Sequence, residues 1–166
     1  MTTATPVAVP TAPPPPLASD LCWLMARTSH ALMTEMTAAL EQSGISPREH
    51  SVLVTAMTGS YTQTELARMV GLDKTTMVVT IDDLEAGGLA ERRPSSTDRR
   101  ARVIAVTPAG ARKVRAAEKV LDQVREDVLG VLPDDEREVF LRALGRLACG
   151  RLSVPVACAH PVRRRS

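Results

Sequence analysis

Aromatic side chains are scarce in this chain of 166 residues, at only 2% of its positions. Trp23, Tyr61 and Phe140 are the whole set. A core must therefore be built from Leu, Val, Ala and Met, which favours the packing of helix on helix. The length suits one domain with extended ends.

Cysteines and long apolar runs are also few. Three cysteines, an odd number, do not make a disulfide framework. No segment approaches the roughly 20 apolar residues of a membrane span, and the N-terminus lacks the basic start and apolar core of a signal peptide. We therefore expect a cytoplasmic protein without a membrane partner.

Signatures of catalysis and cofactor binding are missing from the sequence. It has no Gly-rich phosphate loop, no nucleophile elbow and no paired metal-binding His motif. His30, His50 and His160 lack metal-ligand spacing with one another or with the cysteines. The sequence predicts a protein that is not an enzyme and that holds neither cofactor nor metal.

The net charge of +2 is small, so the distribution of charge is more informative than its sum. Five arginines and a single acid lie between Arg92 and Arg102. Two β-prone runs, Leu89 to Arg93 and Ala101 to Val106, flank the turn Pro94-Ser95-Ser96-Thr97-Asp98. This pattern predicts a β-hairpin with a basic tip.

Helix start and stop signals lie just before this hairpin. Thr62 and Glu65 have capping-box spacing, and Gly71 can end the helix that they begin. Asp73 can cap the next helix, which Gly87-Gly88 stops. A helix-turn-helix followed by a basic hairpin is the plan of a winged helix, and that plan suits binding to DNA.

Long amphipathic helices are predicted on both sides of this module. The predicted fold class is mainly α (α+β), a winged helix-turn-helix with long N- and C-terminal dimerisation helices. The terminal helices carry too much apolar surface for a small monomer, so we expect a homodimer. The predicted regions are a disordered Pro-rich leader at 1–18, helical dimerisation segments at 19–44 and 108–150, the winged helix at 45–107 and an irregular Arg-ending tail at 151–166.

The second helix of the motif is the predicted recognition helix. Its buried stripe is expected to comprise Met77, Ile81 and Leu84, with Val78. Hydroxyl and methyl groups on its outer face suit phosphates, base edges and thymine methyl groups. The candidate DNA contacts of the motif are Thr62, Gln63 and Thr64 at the first helix start, and Lys74, Thr75, Thr76, Val79 and Thr80. An ordinary amphipathic helix with a polar surface is the alternative.

The arginine-rich hairpin, called the wing below, supplies the other candidate contacts: Arg92, Asp98, Arg99, Arg100 and Arg102. An arginine at its tip can enter a narrow minor groove, where negative potential is concentrated. Asp98 can hold an arginine in place through a charge-assisted bond. The alternative is a solvated charged turn.

The chain resembles the MarR (multiple antibiotic resistance regulator) family over about Ser19 to Cys149. The motifs that carry the resemblance are Leu66-Ala67, Gly71-Leu72-Asp73-Lys74-Thr75-Thr76, Leu84-Glu85, Gly88-Leu89, Glu91-Arg92-Arg93-Pro94 and Asp98-Arg99-Arg100 through Thr107-Pro108-Ala109-Gly110. The resemblance implies a homodimeric transcription factor, usually a repressor, released from its operator by small phenolic ligands or by oxidation. It also implies that the recognition helix enters the major groove, that Arg100 enters the minor groove, and that the first and last helices form the dimer interface. Two-fold symmetry then predicts a pseudo-palindromic operator.

The recognition helix departs from the family pattern because Val79 and Asp83 stand where many relatives carry basic residues. Four acids and one lysine lie between Asp73 and Glu85. We therefore expect the wing and the helix starts to supply most of the electrostatic affinity. The acidic helix also leaves open an alternative, a winged-helix dimer that acts as a protein-interaction module.

The resemblance further implies sites of control. A ligand pocket is expected between the first two helices and the DNA-binding module, with Trp23, His30, Met33, His50 and Met57 as candidate lining residues. Cys22 and Cys149 are candidates for an oxidation-sensitive bridge between subunits. Inert packing cysteines are the alternative, because a reactive thiol needs an electropositive setting.

Overall fold

The winged helix-turn-helix is built from the middle of the chain, with longer helices before and after it. The computed structural model describes residues 16–95, 98 and 100–154. The elements are α1 Leu21–Leu40, α2 Pro47–Ala56, α3 Gln63–Val70, α4 Lys74–Ala86, β1 Ala90–Pro94, β2 Arg102–Val106, α5 Pro108–Leu129 and α6 Asp134–Arg146. A 3₁₀ turn, Glu41–Ser43, follows α1, and a π-helical turn, Leu147–Arg151, follows α6. The predicted mainly helical winged-helix fold is confirmed.

Local capping fixes where the helices of the module begin. In the capping box of α2, the Ser46 hydroxyl accepts from the backbone N–H of Glu49 at 3.2 Å, and the Glu49 carboxylate accepts from that of Ser46 at 2.7 Å. Thr62 and Glu65 form the same reciprocal pair at α3, with distances of 3.3 and 2.7 Å. Asp73 accepts from the backbone N–H of Thr76 at 3.0 Å and so caps α4.

The wing is an antiparallel pair whose register runs from Ala90 opposite Val106 to Pro94 opposite Arg102. Its second strand has a neighbour on the other edge as well. The backbone N–H of Ile104 donates to the carbonyl of Tyr61 at 2.9 Å, and Thr62 forms an isolated bridge with Val103. The base of the wing is therefore tied to the segment that begins α3.

The chain divides into two compact units, Met1–Val124 and Arg125–Ser166. The first unit contains one apolar core, assembled from α1 to α5 and both strands. As the composition predicts, this core is aliphatic, since no aromatic residue is among its fully buried members. Its largest fully buried side chains are Leu40, Leu53, Leu66, Met77, Ile81, Leu84, Val52 and Val114.

The start of α5 packs closely against the backbone of the segment that leads into β1. The Thr107 hydroxyl donates to the carbonyl of Gly88 at 2.8 Å and accepts from the backbone N–H of Gly110 at 3.0 Å. A Cβ at Gly110 would collide with the carbonyl oxygen of Leu89 and lie 2.9 Å from Cγ1 of Val106. Only a residue without a side chain fits at this crossing.

The second unit contains α6 and the turn after it, and their apolar side chains are exposed in the single chain: Val139, Phe140, Leu141 and Leu144 of α6, and Leu147 of the turn. In the first unit, Leu21, Leu24 and Met33 of α1 are exposed in the same way. Within the described residues, none of the helices combines the length and apolar character that crossing a membrane requires.

Candidate nucleic-acid interface

The set of side chains that α4 buries differs from the prediction at two positions, Val78 and Thr80. Met77, Ile81 and Leu84 are fully buried, as expected. Thr80, however, is 4% exposed and joins their face, whereas Val78 is 36% exposed and does not. The prediction that Thr80 contacts DNA is wrong, because its side chain lies between α4 and the core. Its position three residues after Met77 and four before Leu84 is the signal that was available in the sequence.

Intramolecular hydrogen bonds occupy two of the three threonine hydroxyls of α4. The Thr80 hydroxyl donates to the carbonyl of Thr76 at 2.8 Å. That of Thr76 donates to the Asp73 carboxylate at 2.5 Å and reinforces the helix cap. The hydrogen bond from the Thr76 hydroxyl, with that from the Thr76 backbone N–H, lowers the pKa of Asp73. Thr75 is exposed and makes no side-chain hydrogen bond to the described part of the chain.

Arg92 is the centre of an internal network and not a free basic group of the wing. Its guanidinium pairs with the Glu85 carboxylate, lies 2.7 Å from Oδ1 of Asp82, and donates to Oε1 of Gln63 at 3.2 Å. Its backbone N–H also donates to Oε1 of Glu85, at 2.7 Å. These side chains join α3, α4 and β1 to one another, and contact of Arg92 and Gln63 with DNA stays a prediction.

This network changes the charge of the recognition helix. Of its four acids, Asp82 and Glu85 are paired with Arg92, and Asp73 caps the helix. Asp83 is exposed, and no described residue pairs with its carboxylate. The outer face of α4 that stays accessible therefore carries Lys74, Thr75, Val78, Val79 and Asp83.

The tip of the wing is organised by backbone hydrogen bonds. The Asp98 carboxylate accepts from the backbone N–H of Arg100 at 2.9 Å, so its described role is to shape the turn through the backbone. Arg100 and Arg102 are exposed, while Arg93 pairs with Glu91. Arg99, also predicted as a contact, lies outside the described residues.

At the start of α3, the three predicted residues have different surroundings. Thr62 bonds Glu65, Gln63 accepts from Arg92, and Thr64 is exposed. The hydrogen bonds from the backbone and hydroxyl of Thr62 hold the pKa of Glu65 below its usual value. Thr64 is thus the residue of this set whose side chain is open to a phosphate.

An open groove of about 680 Å³ lies along α1 and its junction with α2. Of the predicted pocket residues, His30 and Met33 line it. It is completed by Thr34, Thr37, Ala38, Leu40, Glu41, Ile45 and Ser46.

The other three predicted pocket residues do not line this groove. The Trp23 ring lies 5.5 Å from the Arg27 guanidinium, and Met57 is exposed. Burial lowers the pKa of His50, and the charge of Glu118 opposes that shift. The Nε2 atom of His50 is buried and has no partner in the described structure.

Cys22 and Cys149 are both exposed free thiols, and each belongs to a different unit of the chain. His160 lies outside the described residues. Within them, no group of three or more His, Cys, Asp or Glu side chains is placed to hold a metal ion.

Comparison with known proteins gives a consistent result. The model of the MarR family matches residues 43–101, which contain α2, α3, α4 and the first strand of the wing, β1. The transcriptional repressor CouR bound to a 23-mer DNA duplex is 26% identical, with a TM-score of 0.73, over 81% of this chain and 96% of that one.

Two structures from Rhodococcus are equally similar. CouR from Rhodococcus jostii RHA1 bound to p-coumaroyl-CoA is 27% identical, with a TM-score of 0.72, over 86% of this chain and 97% of that one. A MarR-family transcriptional regulator from Rhodococcus sp. RHA1 is 28% identical, with a TM-score of 0.73, over 80% of this chain and 94% of that one.

Proposed function

The chain belongs to the MarR family of transcriptional regulators, and on that premise we propose that it is a homodimeric repressor that binds a pseudo-palindromic operator. Each subunit would place α4 in the major groove of one half-site and the wing along the adjacent minor groove. The family consists of regulators rather than enzymes, in agreement with the lack of a catalytic motif in the sequence.

The Arg92 network is the observation that carries the proposal. It joins the wing strand β1 to both helices of the helix-turn-helix through Gln63, Asp82 and Glu85. Recognition helix and wing can therefore approach one duplex as a single preorganised surface. Thr64, Lys74 and Arg100 are exposed on the elements of this surface and supply the proposed phosphate and groove contacts.

The exposed apolar faces of the outer helices support a dimer. Phe140 of α6 is 43% exposed and Leu21 of α1 is 60% exposed, although each belongs to an apolar stripe. Contiguous apolar surface of this kind marks an interaction site. A second copy of the chain is the proposed partner, since closed two-fold dimers are the commonest oligomers and match a palindromic operator.

Control by a small ligand is also part of the proposal. CouR has been solved with p-coumaroyl-CoA and with a 23-mer DNA duplex, so that protein has both a ligand-bound and a DNA-bound form. The α1 groove, with a volume of about 680 Å³, is of the size of ligand pockets. We assign a small phenolic effector to this groove, in contact with His30 and Met33.

Oxidation of Cys22 and Cys149 is a second proposed route of control. The test is to treat DNA-bound wild-type protein and the Cys22→Ser variant with peroxide and to compare the release of DNA.

Replacing the wing arginine tests DNA binding directly. Arg100→Ala is expected to weaken binding to the DNA upstream of the protein's own gene, because one contact with the phosphate-rich groove is lost. The salt dependence should become shallower by about 0.9 in the slope of log K against log salt, the change for one phosphate contact. Gel-shift titrations at several salt concentrations measure both quantities.

Arg142→Ala is the matched control, since Arg142 is an exposed arginine of α6 and lies outside the winged helix. It should leave the salt slope unchanged. Binding by the wild type that is absent or insensitive to salt would contradict the proposal and favour the protein-interaction module. If the wild type binds DNA with the expected salt dependence but Arg100→Ala has the same salt slope, the wing tip does not contact DNA.

A further inference from the structure

We infer that Val79 determines sequence specificity by contacting the 5-methyl group of thymine in the major groove, with Val78 beside it. This inference rests on the proposed DNA-binding function and adds to it the chemical group that is read. It concerns the residues of this chain that depart from the basic recognition helix expected of the family.

The exposure of the two valines is the first observation. Val79 is 55% exposed and lies on the side of α4 opposite the buried Met77, Ile81 and Leu84, whereas Val78 is 36% exposed and lies at the flank of that buried face. The exposed part of such a branched apolar side chain contributes little to folding. It gains free energy when another apolar group covers it.

The second observation is that few polar side chains of α4 are free to read bases. Of the residues suited to bidentate contacts with guanine or adenine, which are Arg, Lys, Asn and Gln, α4 contains only Lys74 at its start. The hydroxyls of Thr76 and Thr80 are bonded within the helix. Asp82 and Glu85 are held by Arg92. Lys74, Thr75 and Asp83 are the polar side chains that stay available.

The chemistry of the major groove then selects the partner of the valines. Among the groups that base pairs present there, the thymine 5-methyl is the distinctive apolar one. Lys74 at the start of α4 and Arg100 and Arg102 on the wing are exposed positive charges of the same module. This setting suits the approach of a polyanion and disfavours an apolar peptide as the partner. Val79 therefore fits a thymine in each half-site.

A thymine-to-uracil exchange isolates this contact, because it removes the methyl group and keeps every base-pairing atom. The probe is a duplex selected by the wild-type protein from a random library and then synthesised with uracil at one half-site thymine at a time. At the position that faces Val79, uracil should weaken binding about fourfold, the effect of one buried methyl group at roughly 0.8 kcal/mol. At thymines outside the reach of Val79 and Val78 the exchange should have little effect.

The matching protein variant is Val79→Ala, which shortens the side chain without disturbing the core because the residue is exposed. It should bind the thymine and uracil duplexes equally at that position. Val131→Ala makes the same chemical change at an exposed site in the second unit and should keep the wild-type ratio. Circular dichroism of both variants checks that they are folded.

The inference is overturned if no single uracil exchange weakens wild-type binding, or if Val79→Ala keeps the wild-type ratio of thymine to uracil affinity. In either case specific binding to the selected duplex would leave the proposed function standing. Failure of the library to yield any specific duplex would instead contradict the proposed function itself. Loss of a protein partner by Val79→Ala, with DNA binding unchanged, would assign the two valines to a protein interface.

Discussion

At the scale of single residues, the arginines of the wing have two roles that the sequence alone does not distinguish. One role is internal pairing and the other is exposure to a partner. Arg92, Arg100 and Arg102 belong to the same hairpin, but Arg92 is turned toward the helices and the other two toward solvent. Its three partners lie between 7 and 29 residues away in the chain. From charge alone, all three arginines are candidates to contact DNA. The structure shows that Arg92 holds α4 and β1 together.

Arg92→Ala should consequently destabilise the fold and leave the electrostatics of DNA contact largely unchanged. We expect the free energy of unfolding to fall by about 1–2 kcal/mol, since hydrogen bonds to charged groups are lost at a partly exposed site. Urea titration measures this change. The salt slope of DNA binding should stay close to that of the wild type, in contrast to Arg100→Ala.

Arg92→Lys provides the control, because it keeps the charge but cannot bond three acceptors with a planar fork. It should recover only part of the lost stability. A variant Arg92→Ala with wild-type stability and a shallower salt slope would show that Arg92 contacts phosphate after all.

At the scale of secondary-structure elements, the crossing of α5 with the wing depends on Gly110. Gly110→Ala should lower the free energy of unfolding by about 1–3 kcal/mol, because the new methyl group collides with the backbone of Leu89. Thermal unfolding followed by circular dichroism measures the loss. Because α5 begins directly after β2, the same change should also reduce DNA affinity through the position of the wing.

Gly145→Ala is the matched control within α6. A Cβ at Gly145 meets no atom within 4 Å, so this substitution should raise helix stability by about 1 kcal/mol or less. Destabilisation of equal size at both positions would show that the crossing at Gly110 is not the cause.

Elements whose signals are local could be predicted from the sequence, and those that depend on distant contacts could not. The caps at Thr62 and Asp73 involve residues three positions apart, and both form as predicted. The pairing of Arg92 with Glu85 depends on how the hairpin folds back on α4. The prediction that Val78 is buried is wrong for another reason: Val78 is apolar, but its position on the helix lies outside the buried stripe, whereas the position of Thr80 lies within it.

At the scale of the whole molecule, the apolar surface of the outer helices predicts the oligomeric state. Phe140→Glu should convert the proposed dimer to a monomer, because a buried charge would have no partner in the interface. Sedimentation velocity at micromolar concentration distinguishes the two forms. The affinity for the operator should decrease when the dimer is lost, since each half-site would then be bound by a separate monomer.

Phe140→Leu keeps an apolar side chain at the same place and should remain dimeric. A wild-type protein that sediments as a monomer over the whole concentration range would contradict the proposed assembly without affecting the assignment of the wing. A dimeric Phe140→Glu protein would move the interface away from this part of α6.

The tie between the wing and the segment before α3 has a consequence for amide hydrogen exchange. Ile104 is 2% exposed, and its N–H is bonded at 2.9 Å to Tyr61, outside its own hairpin. Fraying of the two strands from each other would therefore leave this N–H protected. Its exchange with solvent requires the start of α3 to separate from β2, an opening that reaches into the core shared by the helices. The rate at Ile104 thus reports the cooperative opening of the first unit, and not the motion of an isolated hairpin.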